Sequence, residues 1–367
     1  MFLLMNKNNI VVEFDFQDYG FGDCLSYWNQ QRILPYGCDK NHLFSWLHSR
    51  KPTGNKHLLL KFINEVTDGK LGAFINLTHC VSLSDCFWIK DAQDNIAWEN
   101  VSPYRNVPDA VIQQYAFGLS GYKLPEFTAS PDFSTDGSYP KCWRRDTDGL
   151  HLYKRGGESF GTTGREPYCE VLASRVYKQM RAGISYALKE LHGFTASVCK
   201  PFTNEHLSFV QYSTLQQSDL LGDINKYYKK YENYETFARI IVCDAIVCNI
   251  DRHTRNYGIY VNPDTMHQIS VAPGFDYNLA LLAGCEYNSL DEAISKANTL
   301  QLYTGESFIQ TAKRLLTDTI RDDLLNLRGI ELSLPAYDEV MSEARTGWLT
   351  DLVNRQIDKI LQYEVVL

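Results

Sequence analysis

The chain has 367 residues, a formal net charge of −8, and 44 % hydrophobic and 13 % aromatic residues. That length allows two or three domains around a sizeable core, and the acidic balance excludes a protein that coats nucleic acid, whose phosphate contacts need clustered Lys and Arg. Ten cysteines stand singly with no zinc spacing, the opening MFLLM is too short for a signal-peptide core, and Arg239 and Asp244 interrupt the longest apolar run. The expectation is a reduced, cytoplasmic, soluble protein with no membrane segment and no direct nucleic-acid partner.

Residues 1–116 read as a mixed α+β accessory domain. Asn9–Phe16 alternates like a strand, Leu43–Ser49 and His57–Val66 carry helical patterns, and Leu71–Ile75 and Phe87–Lys90 read as extended. His42, His48, His57 and His79 match no metal spacing and read as surface or satisfied histidines. Trp88 and Trp98 read as core.

The texture changes near residue 117. A turn-rich loop, Pro131–Pro140, leads into a strand at Lys141–Arg145, a turn at Asp146–Gly149 and a second strand at Leu150–Lys154. A stretch with Gly156, Gly157, Gly161 and Gly164 follows, then a helix from about Pro167 to Met180 with Glu170 near its start. A glycine loop, a strand lysine and a helix glutamate, in that order, make the nucleotide-clamping half of a kinase-like fold. Backbone N–H groups around Gly137 and Ser138 can approach phosphate, Lys154 can reach the α/β-phosphates, and Glu170 can hold that lysine. Taken singly, Lys154 also reads as a surface lysine and Glu170 as an acid favoured by the helix dipole. The strand His206–Tyr212 and the polar connection after it place an adenine-contacting hinge at Gln211, Tyr212 and Ser213.

Downstream, Ala238–Ile250 is apolar on nearly every face and reads as a buried helix. A polar loop, Asp251–Asn256, follows, and then Tyr257–Val261, a turn at Asn262-Pro263-Asp264, and Gln268–Ala272, which together read as a hairpin. The hairpin returns Asp276 to the side of Asn256. Two carboxylates and one carboxamide on one platform are what phosphoryl transfer needs: Asp251 as the base, with Asn256 and Asp276 as magnesium ligands. The Asp-to-Asn offset equals that of the protein-kinase loop H-R-D-x-x-x-x-N, although the same residues also read as a polar loop solvating a helix end. Phe308–Leu327 and Tyr337–Gln362 carry long helical patterns, so helical packing is expected after residue 283.

Four places carry a family resemblance: FSTDGSYPK at Phe133–Lys141, LYK at Leu152–Lys154, CEVLAS with Glu170, and CNIDRHTRNYG…APGFDYN at Cys248–Asn278. Through them, residues 117–367 resemble the HipA-like serine/threonine kinases, the toxin kinases of bacterial toxin–antitoxin systems. LSDCFWIK at Leu83–Lys90 is similar to the leading domain of a subgroup of that family. The resemblance implies an α+β, two-lobed protein-kinase-like fold: an accessory domain at 1–116, a small lobe at 117–215 and a helical large lobe at 216–367. It implies ATP and Mg2+ as cofactors, the roles given above for Asp251, Asn256, Asp276 and Lys154, and an antitoxin partner. It also implies a protein substrate of the kind that includes aminoacyl-tRNA synthetases. In that family a serine of the glycine loop is autophosphorylated, which ejects the loop; the matching residue is Ser134, with Ser138 a second hydroxyl in the same loop. Ser134 reads equally as a residue bonding its own turn. DRHTRN matches the D-R-H-x-x-N loop of phosphoinositide kinases as literally, so a lipid kinase stands as an alternative, with a nucleotide-binding regulator as another.

Overall fold

Alternating residues at the amino terminus fold as a sheet. In the computed structural model, which describes residues 1–18, 23–52, 56–120, 125, 128–157, 163–216 and 218–362, the first strands are β1 (Phe2–Asn6), β2 (Asn9–Asp18) and β3 (Asp23–Gln30). Gly161 of the glycine-rich stretch lies outside the described residues. The chain is α+β and divides into two units. Unit 1 holds Met1–Lys154, Lys200–Val210 and Tyr260–Ile269; unit 2 holds Arg155–Cys199, Gln211–Ile259 and Ser270–Leu367.

In unit 1, α1 (Leu43–His48), α2 (His57–Thr67) and α3 (Leu71–Thr78) precede β4 (Phe87–Asp91), which completes a sheet in the order β3-β2-β1-β4. Leu4 pairs with Val12 on one side and Ile89 on the other, and all three are buried. The extended reading of Leu71–Ile75 is overturned, because the segment is helical. Leu71, Phe74, Ile75 and Thr78 are its buried residues, at the i, i+3, i+4, i+7 spacing of a helix face. Helices α4 (Trp98–Val101) and α5 (Ala110–Ala116) follow. Trp88 and Trp98 are core residues, with ring centroids 6.5 Å apart among Leu3, Met5, Val81 and Val101, and the Trp88 indole N–H donates to the Lys7 carbonyl at 2.8 Å. Glu205 binds the later segment into this block by accepting from the Trp98 indole, the Ser102 hydroxyl at 3.1 Å and Arg105 Nε at 2.9 Å. The expected hairpin appears as β5 (Lys141–Asp146) and β6 (Gly149–Arg155), antiparallel, with Lys141 opposite Lys154.

In unit 2, α6 (Glu166–Gln179) has Pro167 in its first turn, and β7 (Ala187–Leu191) pairs antiparallel with β8 (Phe194–Cys199). Strand β9 (Ser208–Gln211) belongs to unit 1 up to Val210, and in unit 2 α7 (Tyr212–Leu215) and α8 (Leu221–Tyr228) come next in the chain. Helix α9 (Glu235–Val247) is buried from Phe237 to Val247, as its all-round apolar sequence requires. Strands β10 (Gly258–Val261) and β11 (Gln268–Val271) lie at the chain positions where the division between the units falls, and their sheet has the order β11-β10-β9. The helical remainder comprises α10 (Leu290–Thr299), α11 (Phe308–Leu315), α12 (Asp318–Leu327) and α13 (Glu343–Leu361). The single pattern at Phe308–Leu327 is broken in two at Thr317, whose hydroxyl accepts from the Ile320 N–H and caps a new helix. No disulfide links any of the ten cysteines, and no helix among the described residues is long and apolar enough to cross a membrane.

Trp88→Ala should destabilise the protein by about 3–5 kcal/mol, the cost of emptying a large buried aromatic site. Urea denaturation followed by fluorescence checks this; a loss under about 1 kcal/mol would contradict the assigned core.

Candidate active site

Helix α9 ends at a left-handed residue, Cys248 (φ 51°), whose N–H returns to the Asp244 carbonyl. The next residue is tied to Asp244 twice, by its N–H to the carbonyl at 2.9 Å and by its side-chain amide to the carboxylate at 2.7 Å. Within Asp251–Asn256, His253 N–H donates to the Asp251 carbonyl at 2.9 Å, Asn256 N–H to the His253 carbonyl at 2.8 Å, and Asn256 Nδ2 to the Asp251 carbonyl at 2.8 Å. The loop is therefore closed on itself. Asp251 is partly exposed and Asn256 is buried.

At its centre sits Arg252, whose side chain is 1 % exposed, paired with an Asp244 side chain that is fully buried. Arg252 Nε donates to Asp244 at 3.0 Å, and Nη2 donates to Asp244 at 3.1 Å and to the Tyr177 hydroxyl at 3.2 Å. Nη1 donates to two carbonyls, Asn256 O at 2.8 Å and Phe275 O at 2.6 Å. Burial is the largest influence and opposes the charge on this guanidinium, but Asp244, Tyr177 and Tyr277 together hold Arg252 well above the ordinary arginine value. The Tyr177 hydroxyl donates in turn to Asp244, and its ring stacks on Tyr277 with centroids 3.9 Å apart.

The structure thus brings the Asp276 segment beside the Asp251–Asn256 loop, through one shared guanidinium nitrogen. Asp276 itself takes a left-handed conformation (φ 60°), which Asp tolerates better than most residues. Its N–H donates to the Tyr186 hydroxyl at 3.3 Å. Glu170 is fully buried on α6; its carboxylate accepts from the Tyr277 N–H at 3.1 Å and from the Ser197 hydroxyl. Glu170 is therefore anchored directly after Asp276, a contact the sequence reading did not foresee. Tyr212 and Ser213, expected at an adenine-contacting hinge, donate their N–H groups to the Tyr257 carbonyl at 3.0 Å and the Thr254 carbonyl at 3.1 Å, so both N–H groups already have partners in the unit. Gln211 ends β9 and is partly exposed.

The donor set suits a hard cation that prefers oxygen ligands. Asn256 spends its amide nitrogen on the Asp251 carbonyl, which leaves the amide oxygen as its coordinating end, and Asp276 supplies a carboxylate.

The other predicted site residues lie in unit 1. Gly137 has φ 103°, a conformation that calls for glycine; a Cβ on it would sit 2.2 Å from Lys141 Nζ, the mobile end of a long side chain. Lys141 Nζ donates to the Asp136 carbonyl at 2.7 Å. Lys141 and Lys154, cross-strand neighbours, are both buried, an arrangement that concentrates like charge beside the loop. The Ser134 hydroxyl donates to the Val81 carbonyl at 2.9 Å, whereas Ser138 is exposed. A group that sequence reading passed over, Asp146, Asp148 and His151, clusters at the β5–β6 turn at metal-ligand distances. Its members have protein partners: Asp146 accepts from Tyr153 at 2.6 Å, Asp148 pairs with Lys200 at 3.2 Å, and His151 Nδ1 contacts the Gly149 carbonyl at 3.1 Å.

Gly183 packs against Tyr277 so closely that a Cβ would fall 1.9 Å from its hydroxyl and 2.8 Å from the Gly274 carbonyl. Gly183→Ala should therefore cost about 1–3 kcal/mol through overpacking of the Tyr177–Tyr277 stack. Chemical denaturation beside the wild type reads it, and unchanged stability would contradict the packing.

No family model matches the chain, and no curated protein matches it in sequence. Solved structures are similar to it. A chain from the complex of the Shewanella oneidensis MR-1 toxin–antitoxin proteins HipA and HipB with operator DNA is 12 % identical, with a TM-score of 0.49, over 100 % of this chain and 100 % of that one. The crystal structure of CtkA, a proinflammatory kinase of Helicobacter pylori, is 14 % identical, with a TM-score of 0.46, over 62 % of this chain and 90 % of that one. Likenesses this loose leave the function to be read from the geometry of the site.

Proposed function

We propose that the chain is an ATP- and Mg2+-dependent serine/threonine protein kinase with a kinase-like fold of HipA type. The observation that carries the reading is that one buried guanidinium, on the residue next to Asp251, clamps the Asn256 carbonyl and the segment before Asp276. A loop that merely solvated a helix end would not need a buried ion pair to hold a third segment against it.

In this reading Asp251 accepts the proton of the acceptor hydroxyl as that oxygen attacks the terminal phosphorus of ATP, the bond to the β–γ bridging oxygen breaks, and ADP leaves with its electron pair. Asn256 Oδ1 and the Asp276 carboxylate would hold Mg2+, which would neutralise charge on the nucleotide phosphates. Glu170 fixes the backbone after Asp276 through the Tyr277 N–H. For Lys154 and the N–H groups around Gly137 and Ser138, phosphate contacts are proposed on the sequence resemblance alone. An exposed Ser138 is a better-presented acceptor for autophosphorylation than Ser134, whose hydroxyl is bonded to Val81. A protein substrate and an antitoxin partner belong to the same proposal, on the sequence resemblance.

Asp251→Asn keeps the shape of the base but cannot take a proton. Phosphoryl transfer, read as radiolabel from ATP or as intact-mass gain, should fall by about 10²-fold or more while nucleotide binding persists. Near-normal transfer by this variant would remove Asp251 from the role of base.

A further inference from the structure

We infer that Arg252 is the positioning residue that sets the spacing between the candidate base and the candidate metal ligands. The inference rests on the kinase reading above and assigns Arg252 a part in it. Its five N–H groups all have acceptors: Asp244 takes Nε–H and one Nη2–H, the Tyr177 hydroxyl takes the other, and the carbonyls of Asn256 and Phe275 share Nη1. Each of the two carbonyls belongs to or adjoins a proposed ligand. Asn256 is one itself, and Phe275 immediately precedes Asp276. Arg252 in turn immediately follows Asp251. One rigid plane therefore fixes the backbone at three places whose side chains must converge.

The orientation of that plane is over-determined. Asp244 engages it on one edge, and Asp244 is itself held by Tyr177 and Asn249. The guanidinium carbon lies 5.9 Å from the Tyr177 ring centroid and 5.7 Å from that of Tyr277. Lysine retains the charge but not the fork: an ammonium has three donors on one nitrogen, against the five bonds made here from three nitrogens, and cannot hold Asp244 at two positions while reaching Tyr177 and both carbonyls. Residues that orient metal ligands from behind typically change metal affinity or activity by about 10- to 100-fold when replaced. A residue that only stabilised the fold would lower the amount of active protein without altering its metal affinity.

The test compares wild type, Arg252→Lys and Tyr177→Phe as full-length chains, after circular dichroism has confirmed folding. Two quantities are read: Mn2+ affinity by electron paramagnetic resonance in the presence of a non-hydrolysable ATP analogue, and kcat and KM for ATP. Arg252→Lys should weaken Mn2+ binding by about 10-fold or more and lower kcat by about 10- to 100-fold, with KM for ATP changing far less. Tyr177→Phe, which keeps the ion pair and loses one acceptor of the fork, should shift both in the same direction by a smaller factor. A folded Arg252→Lys protein with wild-type Mn2+ affinity and kcat overturns the inference. If that variant does not fold, wild-type values for Tyr177→Phe overturn it instead. A wild type that binds Mn2+ without transferring phosphate defeats the kinase reading alone, and Mn2+ affinity in the variants then decides the positioning role. A wild type that binds no Mn2+ overturns both.

Discussion

A buried ion pair between Arg252 and Asp244 is the constraint on which the platform of unit 2 depends. Placing two charges where the side chains are 1 % and 0 % exposed is costly, and the pair persists because every donor and acceptor finds a partner. Removing either member would leave the other charge buried alone, a loss of about 3–5 kcal/mol. A hydrophobic replacement could fill the same volume, but it could not hold the carbonyls of Asn256 and Phe275 to one nitrogen. Geometry is the stronger reason for the charge to be there.

The rest of unit 2 supports that pair. Helix α9 supplies Asp244, α6 supplies Tyr177 and Glu170, and the close passage of Gly183 against Gly274 lets the Tyr177–Tyr277 stack form. The loop, the hairpin return and α6 are thus joined by hydrogen bonds rather than by apolar contact alone. Directional bonds of this kind hold side chains in one arrangement, as a site for ordered proton transfer and metal binding requires.

Much of this was legible in the sequence. The apolar run at 238–250, the Asn-Pro-Asp turn and the alternation around it led to a helix, a loop and a hairpin return, and Asp276 does lie in the segment brought beside Asn256. Arg252 was not singled out, although a signal existed: Asp244 is an acid on a helix that is buried from Phe237 to Val247, and it must find a partner. Glu170 was read for its place after a lysine strand, and its bond to the Tyr277 N–H joins residues 107 apart, which no local pattern encodes. The misreading of Leu71–Ile75 came from a window of five residues, too short to separate a strand from a helix whose face is completed by Thr78. The composition of unit 1 was hidden for a similar reason. Residues 200–210 and 260–269 join the amino-terminal block through long-range bonds such as Glu205 to Trp98 and Lys7 to Asp264.

The central claim is that Asn256 and Asp276 form the metal-binding half of a phosphoryl-transfer site. A crystal structure with Mn2+ and a non-hydrolysable ATP analogue, with the ion located by its anomalous signal, tests it most directly. The expected result is an anomalous peak coordinated by Asn256 Oδ1 and the Asp276 carboxylate, with the nucleotide phosphates beside it. A peak only at Asp146, Asp148 and His151, with no nucleotide near Asp251, would contradict it.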